Sequence, residues 1–194
     1  MVLTLMSGHV SGVQTRIQQL AEWAICVHCY AHRLNLVVVD SCKSVWYASD
    51  FFALLQRLYV FLSGSYVQPK WLSLQRATHA NEPCIELKAL SDTRYMSAQM
   101  FACHAVRSRF GVLVELLQLI ADESNGDRSL DARSLLKMID LKFVFCLAMF
   151  YILHAEMRSA SDSLQNSQLN AAIACNLIAN CRDAIQQKRN DDSG

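Results

Sequence analysis

A chain of 194 residues, 53% apolar and only 18% charged, is long enough to bury a core and too poor in charge to be disordered by default. Its formal net charge of +1 excludes a protein that holds nucleic acid by bulk electrostatics, so any such contact has to come from a local patch. Two prolines and six glycines leave long stretches free to be helical.

In chain order, Ser11 and Gln14 stand at capping-box spacing, and Val13, Ile17 and Leu20 recur at helical period, which predicts a first helix. Residues 24–29 are short, apolar and flanked by polar residues, the pattern of a single strand. From His32 onward, Leu34, Val37, Val38, Cys42 and Val45 return to helical spacing. An apolar helix over 51–62 follows, stopped by Ser63-Gly64-Ser65. Pro69 is placed to open another helix through Trp71, Leu72 and Leu74, and 77–86 reads as a loop. Ser91 or Asp92 caps one long helix carrying Met96, Met100, Val106, Phe110, Leu113, Leu117 and Ile120, and the polar run 122–128 breaks it. Two further helices are expected over about 130–156 and 168–188. No repeat at solenoid period is visible. One strand cannot satisfy its backbone groups alone, so its partners would have to lie elsewhere.

The apolar runs 51–62 and 143–153 fall short of the ~20 residues that a spanning helix needs, so both are expected in a core and no membrane partner is expected. The opening residues lack a basic stretch followed by a sustained apolar run, the mark of a secretory leader. Cys103, Cys146, Cys175 and Cys181 sit inside apolar helical patterns, where a free thiol acts as a small hydrophobe. Reduced thiols in a nuclear protein, or alternatively a cytoplasmic one, are the expectation.

The segment Cys26-Val27-His28-Cys29-Tyr30-Ala31-His32 places four candidate metal ligands within seven residues. One reading is a small zinc-binding adaptor built on Cys26, His28, Cys29 and His32. Against it, structural zinc draws two ligand pairs from separate segments, and no second pair follows at suitable distance. The other reading is a strand-to-helix junction whose cysteines pack and whose histidines hydrogen-bond, and composition alone favours it. A Cys29–histidine nucleophile lacks an orienting third group and an oxyanion site.

These residues also carry a resemblance. Cys29-Tyr30-Ala31-His32-Arg33-Leu34-Asn35-Leu36, followed by Val37-Val38-Val39-Asp40-Ser41, resembles the Cys-x-x-His segment of hAT-type DNA transposases, nearest their zinc finger MYM-type 1-like members. Three other stretches agree in order. Residues 6–14 resemble the segment before the Cys-x-x-His, and Leu90-Ser91-Asp92-Thr93-Arg94-Tyr95 resembles a Ser-x-Thr-Arg-Trp element in the helical insertion. Residues 159–170, with Leu164-Gln165, resemble a Leu-Ser-x-x-Leu-Gln stretch further on.

The resemblance implies an RNase H-like sheet interrupted by a large helical insertion. This chain would be mainly α, a helical fragment of that domain with at most one or two short strands. Residues 1–48 would be part of the RNase H-like core with the Cys-x-x-His segment, 49–188 the helical insertion, and 189–194 a disordered tail. Such transposases cut DNA with three metal-holding carboxylates. In this chain Met1 stands in the place of the second Asp and Leu5 in that of its companion Asn, and the family's first Asp and its Glu fall outside residues 1–194. Asp40, Asp50 and Asp92 are the nearest acids, and they read as solvated or capping residues.

No catalytic residue and no cofactor is therefore assigned. Cys29 and His32 would lie beside the former active site. Arg94 and Tyr95 stand for the family's DNA-holding Arg-Trp pair, with tyrosine in place of tryptophan. The implied function is a catalytically incomplete, transposase-derived nuclear protein whose partners are DNA, a second copy or a full-length relative. The alternatives are the zinc adaptor and a truncated product without independent function.

Overall fold

Apolar residues recurring every three or four positions build this protein as helix upon helix. The computed structural model describes residues 12–24, 30–90, 95–123, 126–165 and 170–191. Among them the regular elements are α-helices and no strand: α1 Val13–Leu20, α2 Tyr30–Ser44, α3 Trp46–Leu62, α4 Val67–Thr78, α5 Tyr95–Ser108, α6 Phe110–Ala121, α7 Asp127–Met138, α8 Leu141–Leu164 and α9 Ala171–Asp191. The mainly α expectation holds. Of the expected strand over 24–29, only Ala24 is described, in irregular backbone, and the rest lies outside the described residues.

The centre of the core is α3 and α6. Phe51, Phe52, Leu55, Leu58 and Leu62 line the buried side of α3, and Val112, Leu113, Leu116, Leu117 and Ile120 that of α6. Full burial of such side chains is worth about 1.5–3 kcal/mol each. Phe51 and Phe150 stack with centroids 5.3 Å apart, and Phe52 sits 4.7 Å from the same ring, which ties α8 to α3. Val38 and Cys42 of α2 belong to this core as well. The expected boundary between residues 48 and 49 falls inside α3.

Several ends differ from the sequence expectation, each for a local reason. Helix α3 begins at Trp46, before the apolar run proper. Pro69 is the third residue of α4, where its missing N–H has no helical acceptor in any case. The single long helix expected from residue 91 onward is two helices, α5 and α6, parted at Arg109 (φ −122°, ψ 27°). Likewise the helix expected over 130–156 is split, because Asp140 stops the chain with extended backbone and its carboxylate accepts from Phe143 N at 2.9 Å, an N-cap for α8. The last helix runs to Asp191, into the stretch expected as tail.

Arg109 explains the first of these splits. Its side chain is only 4% exposed, its Nη2 donates to Glu82 at 2.8 Å and to the Pro83 carbonyl at 3.2 Å, and its Nε donates to Gln75 Oε1 at 3.3 Å. Gln75 in turn exchanges hydrogen bonds with the backbone of Ile85, at 3.0 and 2.8 Å, and the Trp71 indole donates to the same Ile85 carbonyl at 2.9 Å. The irregular stretch after α4 is thus pinned along α4, and its far end is held by Leu90 N donating to Gln56 Oε1 of α3 at 3.0 Å. The Arg109 guanidinium also holds the Glu82 carboxyl below its ordinary range.

Candidate functional site

Of the residues singled out by the sequence, Cys26, His28, Cys29 and Arg94 lie outside the described residues, as does the side chain of Tyr95, which opens α5. His32 lies in the first turn of α2 and is half-buried. The two helices that carry His32 and Tyr95 pack on each other, sharing a core that includes Val38, Cys42 and Cys103. Asp40 and Asp50 are exposed, and Asp92 is outside the described residues. Among the described residues, no three histidine, cysteine or acidic side chains converge so as to hold a metal ion.

The described cysteines are all free thiols, and Cys175 is exposed and not part of a core. Burial pushes the Cys42, Cys146 and Cys181 thiols up, and Cys103 to about 12. Thiols of that kind stay protonated at neutral pH and are poor nucleophiles.

Three of these thiols border one feature that sequence reasoning did not find. Helices α2, α8 and α9 meet at Ala31, Leu164 and Ala174. Beyond that contact they enclose a groove of about 530 Å³. Leu34, Val38, Cys42 and Val45 face it from α2, at helical spacing. Cys146, Phe150, Leu153 and Met157 form its α8 side, and Ile178, Cys181 and Ile185 its α9 side. Among the described residues its only charged lining residue is Arg182, whose Nε and Nη2 donate to Asp183 Oδ1 at 3.0 and 2.8 Å. The apolar stripes were visible in the sequence, but their convergence on one space was not, because it depends on how three distant helices cross.

A smaller hollow of about 410 Å³ lies between the pinned loop and α5, bordered by Cys84, Glu86, Lys88 and His104. Its side chains are already engaged. Cys84 Sγ donates to the Leu72 carbonyl at 3.7 Å, Gln68 Nε2 donates to Glu86 at 3.1 Å, Lys88 sits 4.9 Å over the Phe101 ring, and His104 Nδ1 is 2.9 Å from Ser108 Oγ.

Helix α8 is long and apolar enough to cross a membrane, with a mean hydropathy of 1.3 over its best 18-residue window. The run counted from the sequence, 143–153, covered only its N-terminal half. In this fold one side of α8 is packed: Phe143, Leu147, Phe150, His154, Met157 and Leu164 are buried against neighbouring helices. His154 is 2% exposed and neither ring nitrogen has a hydrogen-bond partner among the described residues. Its neighbours are the rings of Phe150 and Phe52, at 5.8 and 6.3 Å, and burial drives its pKa down to about 4.

No family model matches this chain, and no solved structure gives a significant match to it.

Proposed function

We propose that this protein is a transposase-derived helical module without phosphoryl-transfer activity of its own, which acts in the nucleus as a DNA-associated or protein-binding element. The observation that carries the reading is the order of four segments: residues 6–14, Cys29 to Ser41, Leu90 to Tyr95 and residues 159–170 follow one another as in hAT-type transposases. The mainly helical build supports it, since that family's insertion is helical. The loss of catalysis rests on Met1 and Leu5, an apolar pair where the resemblance calls for a metal-binding Asp and its Asn.

Labelled DNA incubated with the purified protein and Mg²⁺ or Mn²⁺ is expected to stay intact. Nicking that co-purifies with the protein through independent preparations, and stops on chelation, would overturn the non-catalytic part. For the DNA-associated part, Tyr95→Ala is expected to weaken binding of single-stranded DNA about tenfold, the scale of one lost base–aromatic stack. An affinity that ignores both Arg94→Ala and Tyr95→Ala would remove DNA from the reading and leave protein binding.

A further inference from the structure

The groove between α2, α8 and α9 takes Leu34, Val37, Val38 and Ser41 from the segment that carries the resemblance, but the resemblance assigns it no role, and its chemistry limits what fills it. Its walls are aliphatic, aromatic and sulfur-bearing, with Met149 and Met157 among them, and methionine adapts to irregular apolar shapes. Polar atoms come from few residues, chiefly Ser41, Arg182 and Gln186. Among the described residues no carboxylate lines it. The nearby Glu156 is held by Lys188 at 3.1 Å.

Space decides between occupants. A groove of about 530 Å³ lies within the ~300–1,000 Å³ of small-molecule sites. A three-turn helix, ~10 Å across and ~16 Å long, displaces more than ~1,200 Å³. The groove therefore accepts some side chains of a partner helix, but the whole of a small ligand. The single cation decides the polarity of that ligand. Asp183 takes two of the five N–H donors that a guanidinium carries, and Arg182, a lining residue whose side chain is 75% exposed, has three more at the solvent-facing edge of the groove. A buried anion without such a partner would not enter an apolar site.

We propose that this groove binds a small amphiphile with a long apolar body and one anionic head, the chemistry of a long-chain carboxylate, the head lying at Arg182 and the body along α8. This site is independent of the transposase reading and stands or falls separately from it.

The thiols supply the readout. Cys181 lies in the groove and is half-buried, whereas Cys175 is exposed on the same helix outside it. The probe is a fluorescent C18 fatty acid, with palmitate as competitor, below its micellar concentration and on the full 194-residue chain. Expected are saturable one-to-one binding and slower maleimide labelling of Cys181, read by mass spectrometry, with Cys175 unchanged. Arg182→Glu is expected to weaken binding at least fivefold. Ser41→Trp, at an exposed groove position, is expected to abolish it while the circular dichroism stays native. Uptake that never saturates, or that protects both cysteines alike, overturns the proposal. So does full binding by folded Ser41→Trp. Protection of Cys181 by raised protein concentration alone, without fatty acid, assigns the groove to a second copy and overturns it as well.

Discussion

Helices α6 and α9 carry apolar residues at the same helical spacing and end in different surroundings. In α6, Leu113, Leu116, Leu117 and Ile120 are at most 1% exposed, because α4 and α7 pack against it. Among the described side chains of α9 the only buried one is Ala174, and Ile173 and Ile178 remain 47% and 41% exposed. The difference lies in the company each stripe keeps. Ile178, with Cys181 and Ile185, borders the sulfur-lined groove. Apolar periodicity therefore tells which side of a helix seeks a partner, and only tertiary structure tells whether it has one.

The largest expected effect breaks that comparison at its tight end. Leu117→Ala, at a fully buried position on α6, is expected to cost about 2–5 kcal/mol, the lost transfer energy plus the cavity left behind. Ile178→Ala at the groove is expected to cost under ~1 kcal/mol, since its side chain is already partly in water. Urea denaturation of the two variants measures both. Equal losses would show that α9 is as firmly packed as α6, and would erase the contrast.

Some of this organisation was legible in the residues and some was not. The helices around Phe51, Trp71 and the 122–128 break follow from periodicity and from breakers, which are local signals. Arg109 was invisible as a breaker because arginine is a good helix former. What stops the helix there is a set of bonds to Gln75, Glu82 and Pro83, at least 26 positions away in the chain. His154 falls inside the helix expected over 130–156 with nothing local to single it out, although its burial without a hydrogen-bond partner among the described residues is the feature with chemical consequence. At the candidate sites, Cys29, His32, Arg94 and Tyr95 come from motif order alone. The groove needed coordinates, because its three stripes lie up to 152 positions apart, from Leu34 to Gln186.

His154 sharpens the comparison from the α8 side. Its pKa is about 4 in the folded chain and about 6.5 when unfolded. A depressed pKa means that the unfolded state takes up the proton first. Stability is thus fully present above pH ~6.5, falls as the pH drops, and stops falling from this cause near pH 4. The full shift corresponds to about 3 kcal/mol, an order-of-magnitude figure. Between pH 6.5 and 4.5 this titration runs ahead of Glu82 and Glu123, whose ion pairs with Arg109 and Lys70 lower their pKa values. Denaturation midpoints measured across that range are expected to decline in the native sequence and to stay nearly level in His154→Leu. An equal decline in both proteins would mean that the imidazole is reached by water or by a partner before the core opens.

The smallest expected effect probes the joint that divides α7 from α8. Asp140→Ala removes the carboxylate that accepts from Phe143 N and leaves that donor to water or to strain. Loss of an N-cap costs typically about 1 kcal/mol. The variant also removes a negative charge from the positive end of α8, whose first turn has no other acid to replace it. Asp140→Asn keeps an acceptor oxygen without the charge and is expected to recover most of the loss, whereas Asp140→Ala is not. If alanine proves neutral, the break at Ile139 and Asp140 is imposed by packing on both sides, as at Arg109, and local capping is only its accompaniment. The same pair of variants thus decides whether this joint was legible in the sequence, through a capping aspartate, or was set by contacts that no local pattern records.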